Sequence, residues 1–181
     1  MYQRRRCDER LRPWQVDAVL DADAMARRDG LPLNQFVTIK WKWTALGHAI
    51  DHGPFVAGKK AMAEWFKRRD SPMTLVYVHE NPDGQFNTHI LIHVPKNDRE
   101  DFTAKLHDWF GPITDPAAID IRSRKWPHSK YLCKGTDWIT ARRIGWYPKP
   151  QGTIPFKRVG GTNNIWRKGP DRFQARHVAA A

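Results

Sequence analysis

Cysteine is scarce in this chain. Cys7 and Cys133 are the only two in 181 residues, and they lie far apart. The expectation is two free thiols in a reducing cytoplasm rather than a disulfide framework. Long apolar runs are missing too. No stretch approaches the roughly 20 residues of a membrane span, so no membrane partner is expected. The basic start, Met1-Tyr2-Gln3-Arg4-Arg5-Arg6, is followed by no apolar core and reads as neither a secretory nor a twin-arginine signal. Acidic residues are outnumbered, with 19 Asp and Glu against 31 Lys and Arg, a formal net charge of +12. An excess of that size and sign favours nucleic acid, or less often an anionic membrane surface. No internal repeat is present.

What the chain has in quantity is tryptophan, nine in all. Some must be core, and others suit base stacking. The length fits one domain with extensions. Residues 1–32 read as a basic arm with a helix over Pro13–Arg28, introduced by Pro13 and closed by Gly30. Residues 33–137 form the domain proper. Residues 138–181 read as a basic, Gly- and Pro-rich irregular extension.

Within the domain, Phe36–Trp43 alternates as a strand. Val37, Ile39, Trp41 and Trp43 face one way; Phe36, Thr38, Lys40 and Lys42 face the other. Pro54–Arg69 is an amphipathic helix with Phe55, Met62 and Phe66 on one face. A second helix spans Asp98–Phe110, with Asn97 as its cap, Glu100 completing a capping box and Gly111-Pro112 stopping it. Ile119–Arg124 is a short strand and Pro127–Lys134 a short helix. The order β-α-β-β-α-β followed by a helix predicts an α+β, ferredoxin-like split sheet. Two helices would pack on one face. The last helix would cross the other.

The stretch Thr74–Pro95 carries the chemistry. Two β-rich runs flank Pro82-Asp83-Gly84, and Asp-Gly supplies the positive φ angles of a two-residue hairpin loop. That loop pairs Glu80 with Asn87 and Val78 with His89. Glu80, Asn87 and His89 then share a face, and Leu75, Tyr77, Thr88, Ile90 and Ile92 take the other. A three-residue loop would slip the register by one and could bring His79 in place of Glu80. A carboxylate, an amide and an imidazole converging on one face resemble a divalent-ion site. Asn87 and His89 are about 7 Å apart at Cα, close enough to share an ion. Mixed oxygen and nitrogen donors suit Mg2+ or Mn2+ better than zinc.

Asn87-Thr88-His89 followed by an apolar strand resembles the His-hydrophobic-His motif of the HUH endonucleases, the rolling-circle replication initiators and relaxases. Tyr131-Leu132-Cys133-Lys134 resembles their second motif, Tyr-x-x-Lys, in the family's order. The resemblance covers roughly residues 36–135 and departs at Asn87, where the family has its first histidine. It implies nicking and joining of single-stranded DNA through a covalent 5′-phosphotyrosine, initiating rolling-circle replication of a plasmid or phage. Tyr131 would be the nucleophile and Lys134 its charge partner. Glu80, Asn87 and His89 would hold the ion. The nucleic acid, single-stranded or an origin hairpin, would meet Lys40, Lys42, Lys125, His128, Lys130, Arg142, Arg143, Lys157 and Arg158. No helicase motif is present, so unwinding would fall to a host helicase. The alternative is a non-catalytic binder whose sheet holds single-stranded nucleic acid through Trp41 and Trp43.

Overall fold

Asp83 and Gly84 set the register of the sheet. Their φ angles are 51° and 72°, the left-handed pair that a two-residue hairpin loop needs. The Gln85 N–H donates to Pro82 O at 2.8 Å and closes the turn. In the computed structural model, which describes residues 9–45, 47, 49–123 and 128–166, this turn joins β2 (Leu75–Glu80) to β3 (Asn87–Ile92). Val78 stands opposite His89 and Glu80 opposite Asn87, so the slipped register is not adopted. β1 (Gln35–Lys40) pairs with the far side of β3, with Thr38 opposite His89. β4 (Ile119–Ser123) pairs with β1, and β5 (Val159–Gly161) with β2. All pairs are antiparallel, in the order β4-β1-β3-β2-β5.

The helices α2 (Gly53–Lys67) and α3 (Arg99–Trp109) complete a ferredoxin-like β1-α2-β2-β3-α3-β4 unit. Phe55, Met62 and Phe66 of α2 and Phe102 and Leu106 of α3 pack on Val37, Ile39, Tyr77, Ile90 and Ile92. The strand alternation predicts this division, because side chains of period two reach only one face. No described helix is long and apolar enough to cross a membrane.

Several expectations need correction. β1 ends at Lys40, since Trp41–Trp43 winds into a 3-10 turn. The Trp41 indole N–H donates to Thr88 Oγ1 at 2.7 Å and its ring is fully buried, so Trp41 offers no surface to a base. The residue capping α3 is Asp98, with no side-chain capping bond, in place of the expected Asn97 box. The face opposite α2 and α3 is partly roofed by α1 (Pro13–Arg28). Its Val16, Val19, Ala22 and Ala26 pack with Phe36, Val76, Val78 and Leu91. Alanines at the contact explain why the helical stripe is faint in the sequence. α4 (His128–Leu132), the 3-10 turn Cys133–Gly135 and α5 (Trp138–Arg143) follow. The 138–181 extension is therefore not irregular throughout, as it supplies α5 and the edge strand β5.

On the helix-covered face, His79 is completely buried. Its Nδ1 lies 2.8 Å from Thr88 Oγ1, while its Nε2 has no hydrogen-bond partner. Its ring stands nearly perpendicular to His52, Phe55 and Phe156. Burial first, then the nearby His52, Arg158 and Lys59, holds its pKa well below the ordinary 6.5. A base with a depressed folded pKa leaves the unfolded state binding more protons, so stability is full above the unfolded value and lost below it. Chemical denaturation from about pH 7.5 to about pH 5 is expected to show a loss approaching ~1.4 kcal/mol per pH unit from this residue. His79→Gln should flatten that slope.

Candidate active site

Glu80 and His89 meet on the face opposite α2 and α3. Strand alternation points Glu80 out of β2 and His89 out of β3, and the register brings them together. His89 Nε2 lies 3.0 Å from Glu80 Oε2. Thr38 Oγ1, across the other ladder, lies 3.0 Å from His89 Nδ1 and fixes the ring. A carboxylate can only accept, so Nε2 carries the hydrogen shared with Glu80.

The 3-10 turn after α4 then delivers Lys134 into the same position. Its Nζ is 2.8 Å from Glu80 Oε2 and 3.4 Å from His89 Nε2. The Glu80 and Lys134 side chains are only 2% and 7% exposed. Burial alone would raise the Glu80 carboxyl; His89 and Lys134 outweigh it and hold the pKa below the ordinary 4.5. The second oxygen, Oε1, is buried without a hydrogen-bond partner.

Tyr131 completes the cluster from α4. Its ring meets His89 edge-on with centroids 5.4 Å apart, and Lys134 Nζ sits over its face at 3.6 Å. Tyr131 is half-buried rather than sealed among Phe102 and Leu106. Phe36 forms the floor, stacked on His128 at 4.6 Å and on His89 at 5.4 Å.

These groups open into a groove of about 1200 Å³. Lys40, Lys42 and Trp43 form one wall, and both ammonium groups lie over the Trp43 ring at 4.5 and 4.7 Å. Trp146, Lys149 and Gln151 form the other, tied down by the Lys149 N–H to Lys134 O bond of 2.7 Å. Asp120 and Arg122 of β4 also line it, paired with each other at 2.7 Å.

The predicted site is thus partly assembled. Glu80, His89, Tyr131 and Lys134 come together. Asn87 lines the groove, but its amide nitrogen donates to Gln85 O at 2.9 Å. Among the described residues, no group of three or more His, Cys, Asp or Glu is arranged to hold a metal ion. Of the predicted nucleic-acid contacts, Lys40, Lys42 and His128 line the groove. Lys130 is half-buried beside Gly145, Arg142 is exposed on α5, and Arg143 is exposed and paired with Asp17 at 2.6 Å. Lys125 lies outside the described residues. Lys157 lies toward Gly160 and the Tyr77 hydroxyl, on the side of the sheet away from the groove. Arg158 is completely buried and donates to Gly152 O, so it is a structural residue and not a surface contact. Thr38, Phe36, Arg122, Trp146 and Lys149 are additional groove residues. Alternation along β1 puts Phe36 and Thr38 on the correct face. The return of the tail over the sheet, which places Trp146 and Lys149, has no signal in the sequence.

No family model matches the chain, and neither a curated protein nor a solved structure is significantly similar to it.

Replacing Glu80 by Gln would leave a buried ammonium without its counter-charge. Glu80→Gln is expected to lower unfolding free energy by ~3–5 kcal/mol, the usual cost of breaking a buried pair from one side. Glu80→Gln with Lys134→Met should recover much of that loss in the same urea titration.

Proposed function

We propose that this protein is a tyrosine nuclease and strand transferase acting on single-stranded DNA, of the HUH type. More particularly, we propose an initiator of rolling-circle replication for a plasmid or phage, working in the cytoplasm with a partner helicase that unwinds the duplex. The observation that carries this reading is one cluster. A half-exposed Tyr131 lies against His89 and beneath the Lys134 ammonium, at the floor of a groove walled by Lys40, Lys42 and Lys149.

Breaking a phosphodiester needs a nucleophile placed in line and cationic charge at the phosphate. The Tyr131 oxygen attacks phosphorus and gives its proton to solvent. The bond to the 3′ oxygen breaks, and that oxygen takes up a proton as a free 3′-hydroxyl. The 5′ phosphate remains on Tyr131. Lys134 stabilises the phenolate and the charge developing on phosphate oxygens. Its own position is fixed by Glu80, while Thr38 and Phe36 hold His89.

A divalent ion is the second cation this reading allows. The unpartnered Oε1 of Glu80 offers an oxygen donor that fits Mg2+ or Mn2+, and His89 Nε2 would add a nitrogen donor on giving up the hydrogen it shares with Glu80. Those two residues would hold it, and it would supply further neutralisation of the phosphate. Lys134 already meets the same two side chains, so the two cations compete. Mn2+ binding, read by electron paramagnetic resonance, should tighten at least about tenfold in Lys134→Ala. A unit charge a few Å away contributes roughly 4 kcal/mol at an effective permittivity of about 20.

A non-catalytic single-strand binder is the second reading. It is favoured by Asn87, a neutral amide whose nitrogen donates to Gln85 O and whose oxygen is a weaker ligand than an imidazole. With Trp41 buried, Trp43 would be its stacking residue. The deciding experiment incubates the protein with single-stranded DNA, with and without Mn2+, and looks for an SDS-stable adduct. The wild type should form one. Tyr131→Phe should form none, while its DNA affinity and melting temperature stay close to wild type. Undiminished adduct from Tyr131→Phe would remove Tyr131 from the mechanism. No adduct from the wild type would leave the binder.

A further inference from the structure

The described surface exposes four large hydrophobic side chains, and three of them fall within ten residues of one another. Trp138 is 59% exposed, Ile139 80% and Tyr147 76%; the fourth, Val56, lies on α2. A fold that buries Trp41, Trp65 and Trp166 leaves these rings outside. They are not loosely held. Asp137 caps α5, accepting from Thr140 N at 2.9 Å and from Thr140 Oγ1 at 2.7 Å. Gly145, at φ 66°, reverses the chain, and the Trp146 N–H returns to Ala141 O at 2.9 Å. The backbone that carries them is thereby held, and the Trp138 and Tyr147 ring centres lie 6.5 Å apart with their planes tilted by 52°.

Tyr147 follows Trp146 and precedes Lys149 by two residues, and both of those line the groove. The two rings therefore adjoin the chain segment that forms the groove wall. Arg142 is exposed on the same short helix. The nearby acidic groups are engaged, Asp137 in the cap and Asp17 with Arg143. Exposed flat rings beside exposed cations are what a single strand requires, stacking for bases and charge for phosphates.

We propose that Trp138 and Tyr147 form a stacking platform for the nucleotides of a single strand that leaves the groove past Trp146 and Lys149. This rests on the groove being a single-strand site. Its ligand class is unpaired nucleic acid of any base sequence, because every base has a stacking face. The platform would hold the flank of the strand rather than the scissile phosphate.

The test measures fluorescence anisotropy of labelled oligonucleotides from about four to about 16 nucleotides, spanning single-strand site sizes. In the wild type, affinity should rise with length beyond what fills the groove. In Trp138→Ala with Tyr147→Ala, that gain should fall at least about tenfold, while short oligonucleotides bind as before. Trp138→Phe with Tyr147→Phe should restore most of it, since a ring remains. Equal affinity of the alanine variant for long oligonucleotides, with short ones still bound, would overturn the platform and leave the groove intact. Failure of the wild type to bind any oligonucleotide would overturn both. An alanine variant that binds all lengths normally but changes its state of self-association would assign the rings to a protein contact instead.

Discussion

A carboxylate buried on a sheet face dictates much of what surrounds it. Glu80 is almost wholly enclosed, and an isolated charge in such a place costs several kcal/mol. Only a close cation and good donors can compensate. His89 reaches it from the neighbouring strand, and Lys134 reaches it from 54 residues further along. The turn Cys133–Gly135 therefore has to lie over the sheet. The next segment follows, because Lys149 N bonds Lys134 O and Asn81 N bonds Gln151 O at 2.8 Å. The groove is the space left between this strap and β1.

The same strands serve a different purpose on their other face. Thr88, between Asn87 and His89, turns away from the groove and receives the Trp41 indole. His79, beside Glu80, turns into an aromatic cage of Phe55, Phe86 and Phe156. One-residue alternation thus separates a polar site from a dry core within a few Å. A slip of register would exchange them and place Glu80 among phenylalanines. The left-handed pair at Asp83 and Gly84 guards against that exchange, since it is the pair a two-residue loop requires.

Local rules carried the reading of this part of the molecule. Alternation in β1, β2 and β3 and the Asp-Gly turn were enough to bring Glu80 and His89 together and to keep Ile90 with Phe102 in one core. The Tyr-x-x-Lys spacing was enough to present Tyr131 and Lys134 together. What escaped was long-range. α1 contributes alanines rather than a bold apolar stripe, so its docking on Phe36 and Val76 leaves little trace in its pattern. Val159–Gly161 is too short and too rich in glycine to read as a strand. Gly160 and Gly161 pack there because a Cβ would come within 2.7 Å of the Tyr77 hydroxyl and 2.9 Å of Leu75 O. Arg158 looks like a surface cation in sequence, but an edge strand docked on β2 carries it inside.

Under the proposed function, the position of Lys134 also bears on how the site would work with few metal donors. Phosphoryl chemistry asks the protein mainly for placement and for charge at the phosphate. In this cluster the ammonium is held in advance by the Glu80 carboxylate, and it lies on the face of the tyrosine ring. Its cost of ordering is met in folding and need not be met again when a strand arrives. Asn87, a neutral amide turned to the hairpin backbone, adds no charge to that balance. A histidine or carboxylate there would strengthen ion binding, and by attracting a divalent cation would set it against the lysine. The neutral residue at position 87 and the buried lysine at position 134 are thus consistent halves of one electrostatic arrangement, in which the charge that the proposed function would set against a phosphate is built into the chain.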